Sequence, residues 1–190
     1  MASTISAGTT SGTAIAIAGD TTGNLAFTTQ AGANTITIPN STGTVVTTGS
    51  PQSGSVLQVV QTTSTTSFQT SSTSFQASGF TATITPKFAT SKILVTVVTT
   101  NYVQAGDVNT STIYRGGTNL GGGPSSGFQW NRLRGGTDLQ FPMVINYLDS
   151  PATTSATTYQ TYIKSNAGSA VETNSPSATT ATFTLMEIAG

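Results

Sequence analysis

A chain of 190 residues has room for one good core, or for a smaller domain with an appendage, and not for a large multidomain enzyme. Six Lys and Arg balance six Asp and Glu, and only 6% of the residues are charged, so there is little field to hold a polynucleotide or an anionic membrane and neither is an expected partner. Cys and His are both absent, which excludes disulfides, thiolate or imidazole metal sites, Ser-His-Asp triads and Cys-His pairs, and leaves no metal or cofactor expected.

The start, MASTISAGTT, has neither a basic region nor a continuous apolar segment, which argues against a signal peptide. No run approaches the roughly 20 apolar residues of a membrane-spanning helix. Abundant Thr and few Lys favour strand over helix. Before Lys87 the only charge is Asp20, so two segments with different surface chemistry share the chain. The turn-rich stretch TTGSPQSGS, Thr47 to Ser55, interrupts the pattern and sets the boundary, giving segments 1–54 and 55–190.

In the first segment TAIAIAG (13–19), NLAFT (24–28), NTITIP (34–39) and GTVVTT (43–48) read as short strands separated by Gly, Asn and Pro turns. Their side chains are small, and about fifty residues cannot bury much of a core, so this piece is expected to fold against copies of itself. Leu25, Phe27, Ile36 and Ile38 are its candidate interface residues.

The second segment has the spacing of an antiparallel sandwich. Its strand-like runs are SVLQVVQT (55–62), GFTATITP (79–86), SKILVTVVTTNYV (91–103), NTSTIYR (109–115), FQWNRLR (128–134), LQFPMVINYLD (139–149), TTYQTYIK (157–164) and TATFTLMEI (180–188). Eight such strands suit a jelly roll. Ile113 to Leu120 reads as a hairpin turning at Gly116-Gly117. KILVTVV is apolar on both faces, with Ile93, Val95 and Val97 on one and Leu94 and Val98 on the other. Either a long loop covers the second face, or a neighbouring subunit does, through Leu94 and Val98. The near-repeat SFQTSST and SFQASGF spaces Phe68 and Phe75 by seven residues, and a turn in TSST would return them to a common face.

Without His or Cys, acid-base chemistry would need a carboxylate pair drawn from Asp107, Asp138, Asp149 and Glu172. These are scattered singly in loops or at strand ends and read as solvated, so no catalytic residue is assigned. Gly121-Gly122-Gly123-Pro124 lacks the Lys and the strand-to-helix context of a phosphate loop and reads as a flexible loop. GFQWNRLRGGTD, 127–138, holds the only Trp and two of the three Arg. Strand alternation puts Phe128, Trp130, Arg132 and Arg134 on one side and Gln129, Asn131 and Leu133 on the other. Trp130 is either a core residue, or covered by a stacked Arg132, or, with Arg132 and Arg134, a surface that stacks on sugar rings and hydrogen-bonds hydroxyls.

The segments MASTISAGTTSGTAIAIAGDTTGNLAFTTQAGANTITI, GSVLQVVQ, GFTATITPKFATSKILV, TIYRGGTNLGG and TFTLMEIAG together resemble virion proteins of tailed bacteriophages, chiefly tail fibres. The resemblance spans nearly the whole chain and rests on structural motifs with no catalytic signature. It implies a homotrimer, an N-terminal region that intertwines and attaches to another virion protein, and a C-terminal jelly-roll knob similar to tumour-necrosis-factor-like heads. Long fibres of that kind carry an extended shaft, and here only a few residues separate the last N-terminal strand from VLQVV. The expectation is therefore a short tail fibre or spike that binds a host surface glycan, with a capsid decoration or head fibre as the alternative. Both place the protein on the virion and neither is an enzyme.

Overall fold

The computed structural model of the chain describes residues 25–28, 35–38, 51–175 and 179–190. Two compact units divide at Ser50 and Pro51, four residues before the break drawn from the turn residues. The reason is local: the Gly54 amide donates to the Ala189 carbonyl at 2.8 Å and the Ala189 amide to the Ser55 carbonyl at 2.9 Å, which ties 51–54 into the larger unit.

In the smaller unit β1 (Leu25–Thr28) and β2 (Thr35–Ile38) form an antiparallel pair. The register sets Leu25 opposite Ile38 and Phe27 opposite Ile36. The other two strands expected in this segment, 13–19 and 43–48, lie outside the described residues.

The larger unit is built from β3 (Val56–Ser64), β4 (Phe68–Thr70), β5 (Gln76–Ile84), β6 (Lys92–Val103), β7 (Val108–Arg115), β8 (Thr118–Asn119), β9 (Gln129–Arg132), β10 (Leu139–Asp149), β11 (Thr157–Ser165), β12 (Val171–Thr173) and β13 (Ala181–Ile188). Every pairing among them is antiparallel. In the first sheet β10 runs along one edge of β6; on the other edge lie β13 and then β12, backed by β3 and β4. In the second sheet β5 and β7 flank β11, and β8 and β9 share the far edge of β7.

Numbering the eight principal strands in chain order, the first sheet reads first, eighth, third, sixth (β3, β13, β6, β10) and the second reads second, seventh, fourth, fifth (β5, β11, β7, β9). That interleaving is the jelly roll. Each of the eight runs picked out by alternation became one of these strands. β4, β8 and β12 carry two or three residues each, too few for a period of two to register.

Alternation also explains the core. Ile93, Val95 and Val97 of β6, Phe183 and Leu185 of β13, Ile113 of β7, Ile145 and Met143 of β10, and Tyr159 of β11 meet between the sheets, none more than 2% exposed. Phe80 packs edge-on to Phe183 with ring centroids 5.5 Å apart. A smaller cluster, Val103, Ile163 and Val171, is closed by Phe68, Phe141 and Leu133. Between the two along β6 sits a polar layer, in which Asn101 Nδ2 donates to Ser111 Oγ at 2.8 Å and Ser111 Oγ donates to Asn109 Oδ1 at 3.0 Å.

Three local readings of the sequence are corrected. Phe68 closes the smaller core cluster, whereas Phe75 lies edge-on to Tyr114, ring centroids 6.1 Å apart, so the two do not share an environment. The stretch 121–124 is no loose loop: Asn119 Nδ2 donates to the Gly123 and Ser126 carbonyls, and Asn119 Oδ1 accepts from the Gly121 amide and Thr112 Oγ1. This strap lies so close on β7 that a Cβ at Gly121 would meet Thr112 Oγ1 at 2.6 Å, and one at Gly127 the Ser111 carbonyl oxygen at 2.6 Å. Phe128 leaves the face assigned to it, because β9 begins only at Gln129; its ring packs on the main core and against Tyr147, centroids 5.0 Å apart.

Candidate functional site

The hairpin edge that carries the Trp-Arg stretch is held by backbone pairing of β9 with β7: Gln129 opposite Ser111, Trp130 opposite Thr110, Asn131 opposite Asn109 and Arg132 opposite Val108. Trp130 and Arg132 are exposed, and Gln129 and Asn131 are half-buried. Trp130 is 55% exposed, which rules out the core reading. Leu133 turns in, its amide donating to the Asp107 carbonyl and its side chain closing the smaller core cluster. Arg134 follows on the outside. The three residues assigned to a ligand surface are thus solvent-facing neighbours in sequence on one edge of the second sheet.

The pairing brings in a fourth residue that the sequence pattern missed. Thr110, opposite Trp130, is also opposite Lys164 of β11. Directly paired residues point to the same face of a sheet, so Trp130, Thr110 and Lys164 form one row on its outside. The Lys164 ammonium sits 5.0 Å from the centre of the Phe75 ring. Beside it Tyr114 and Tyr162 stack at 4.0 Å. Lys164 is 34 residues downstream of Trp130 in sequence, and only the register could place them together.

The carboxylates separate into two kinds. Asp107 and Asp149, read as solvated from their loop and strand-end positions, are 0% and 5% exposed. Asp107 lies inside the turn after β11: it accepts from Ser165 Oγ and from the amides of Val108, Asn166, Ala167 and Ser169. Burial pushes its pKa up, but the Ser165 hydroxyl and the Val108, Ala167 and Ser169 amides outweigh it and hold the group at about 2. Asp149 accepts both oxygens' worth of bonding from Arg115 Nη1, at 2.8 and 2.6 Å, and the Tyr159 hydroxyl at 2.7 Å. Burial, then the Asp149 carboxylate, drive the Tyr159 phenol well above its usual range.

Glu187 is the third buried carboxylate, at 0% exposure. It accepts from Ser91 Oγ, Gln58 Nε2 and the Lys87 and Phe88 amides. Burial works against these bonds, and they still leave its pKa below the ordinary value. Of the others, Asp138 is exposed, taking the Tyr102 hydroxyl at 2.7 Å and the Ala105 amide at 2.9 Å; those two bonds lower its pKa. It lines a shallow cleft of about 290 Å³ with Tyr102, Leu139 and Gln140. Glu172 accepts from Gln69 Nε2 at 3.0 Å.

The outer face of the first sheet is the other surface that needs an explanation. Across β3, β13, β6 and β10 the register aligns Val59, Met186, Leu94 and Leu148 in one row, and Thr63, Thr182, Val98 and Val144 in another. Between them run Gln61, Thr184, Thr96 and Asn146, bonded in pairs from Gln61 Nε2 to Thr184 Oγ1 and from Thr96 Oγ1 to Asn146 Oδ1. Val59, Leu148, Val144 and Val98 are 55%, 49%, 46% and 41% exposed. The second apolar face of KILVTVV is therefore open to solvent at Val98 and half-buried at Leu94.

No protein-family model matches the chain, and no curated protein matches it. Among solved structures, a chain from the "Structure of infectious bursal disease virus Gx strain" is similar over 85% of this chain, with 16% identity and a TM-score of 0.38. The match takes in 44% of the viral chain, so this chain spans less than half of that protein's length.

Proposed function

We propose that the chain is a non-enzymatic structural protein of a tailed-bacteriophage virion: a short homotrimeric fibre or spike, attached to another virion protein through residues 1–54, whose jelly roll contacts a host surface glycan. The observation that carries this reading is the outer face of the first sheet, where the apolar row Val59, Met186, Leu94 and Leu148 and the apolar pair Val98 and Val144 flank a row of neutral side chains bonded in pairs. Leu94 and Val98 lie in its middle. Such a face can be buried without desolvating a charge, and burial against a second copy satisfies the same composition on both sides.

The interior carboxylates support the non-catalytic part. Asp107, Asp149 and Glu187 are buried and each accepts from two or more donors of its own fold, which suits them to hold turns in place. A chain without thiols, closed on sister chains, would keep its integrity outside a cell through slow unfolding. Trp130, Arg132 and Arg134 present an aromatic face and guanidinium donors to solvent, the chemistry of stacking on sugar rings and bonding their hydroxyls.

Electron microscopy of virions with this protein labelled tests the assignment. Label on the tail is expected. Label on the capsid surface would move the protein to a decoration or head fibre, and virions without label would overturn a structural role altogether.

A further inference from the structure

The formal charge of zero conceals a sorted distribution. Asp107, Asp149 and Glu187 are buried, and Arg115 is taken up by Asp149. What faces solvent on the larger unit is Lys87, Lys92, Arg132, Arg134 and Lys164 against Asp138 and Glu172. Among the described residues the Arg115–Asp149 pair is the one salt bridge, so no carboxylate neutralises Arg132, Arg134 or Lys164. The acids are spent holding turns inside, and the cations remain outside.

Two of these cations belong to the same sheet face as the exposed indole. Trp130 and Arg132 alternate outward along β9, and Lys164 stands across Thr110 from Trp130. Thr110 supplies a second, independent sign: it is 2% exposed and its Oγ1 has no hydrogen-bond partner. A buried hydroxyl without a partner is uncommon; here it belongs to the residue paired between Trp130 and Lys164 in the sheet.

We infer that the glycan taken by this face is an acidic one, a polysaccharide bearing carboxylate or phosphate groups, with a sugar ring on Trp130 and its anionic groups paired by Arg132 and Lys164. This rests on the glycan-binding reading above and adds the charge of the ligand. Guanidinium and ammonium groups without a carboxylate partner gain most from an anionic acceptor, through charge-assisted bonds about twice as strong as neutral ones. A neutral polysaccharide would leave them without return for their desolvation. The indole face gives the ligand its sugar specificity, because a bare polyanion has no apolar ring face to stack.

The test uses the full chain on immobilised polygalacturonate as the carboxylate probe, a phosphomannan as the phosphate probe, neutral dextran, and single-stranded DNA, together with intact host cells. Binding to one or both acidic polysaccharides is expected, with none to dextran, and falling steeply as salt is raised; which of the two binds separates the anion's source. Arg132→Gln and Lys164→Gln should each weaken it by about tenfold, Lys164→Arg should largely restore it, and Trp130→Ala should abolish it. All four are surface changes, and unchanged melting temperatures would verify that the fold is kept. Host-cell binding that is lost in Trp130→Ala yet insensitive to salt and to both Gln variants would overturn the acidic ligand and leave the adhesin intact. Failure to bind cells would remove the adhesin itself. DNA bound as tightly as the acidic polysaccharides, or no binding to either acidic probe, would also overturn the inference.

Discussion

Asp107 and Glu187 are carboxylates that the fold has wrapped in donors, and their effect on stability is a matter of protons. Their folded pKa values lie below the ordinary ones, Asp107 at about 2. The unfolded chain, with values of about 3.9 and 4.3, therefore binds more protons in the interval between. The stability they contribute is full above about pH 5 and is lost as pH falls through the unfolded values toward 2. Tyr159 acts at the other end: its folded value is raised, so its contribution is full below about pH 10 and is lost as the pH rises beyond that. Melting temperature against pH should show a plateau from about 5 to 9 with a fall on both sides; a maximum near pH 3 would contradict the assignment of these bonds. Asp149→Asn removes the partner of a partly buried Arg115 and weakens the Tyr159 bond. It should cost about 3 kcal/mol, read by chemical denaturation, and a loss below about 1 kcal/mol would mean that the pair is solvated.

At the scale of elements, the strap over β7 and the register of β9 decide what the second sheet presents. Gly127→Ala would drive a Cβ into the Ser111 carbonyl, which is backbone and cannot swing aside. The strap must then lift, at a cost of about 1–3 kcal/mol, and hydrogen exchange should rise at Asn119 to Gly127 while β6 and β13 stay protected. The eight principal strands were legible because a half-buried strand shows its period of two; LQFPMVINYLD became β10 without a residue's change. Alternation along TFTLMEI puts Glu187 on one face with Phe183 and Leu185. It could not say why an acid belongs there, since its donors come from residues 58, 87, 88 and 91. Asp107 and Asp149 were misread for the same reason. Lys164 joined Trp130 through the register of three strands, which no local pattern encodes. Phe128 was misplaced because alternation was carried one residue beyond the strand.

For the whole molecule, assembly depends on what covers Val59, Leu94, Val98, Val144 and Leu148. The first sheet leaves Val59, Val98, Val144 and Leu148 in water among neutral polar side chains, and a second copy of the chain would cover them. The N-terminal segment, with Asp20 the single charge before Lys87, raises the same question for the smaller unit. Replacing Val98 by Asp puts a carboxylate in the centre of the face without touching the core, since Val98 points away from Val95 and Val97. The variant is expected to dissociate while retaining its β-sheet circular dichroism. Solution mass by multi-angle light scattering reads whether sister chains cover this face. The full chain is expected to run as a trimer and Val98→Asp as a monomer; a monomeric full chain, or a Val98→Asp variant that remains a trimer, would show that sister chains do not cover this face.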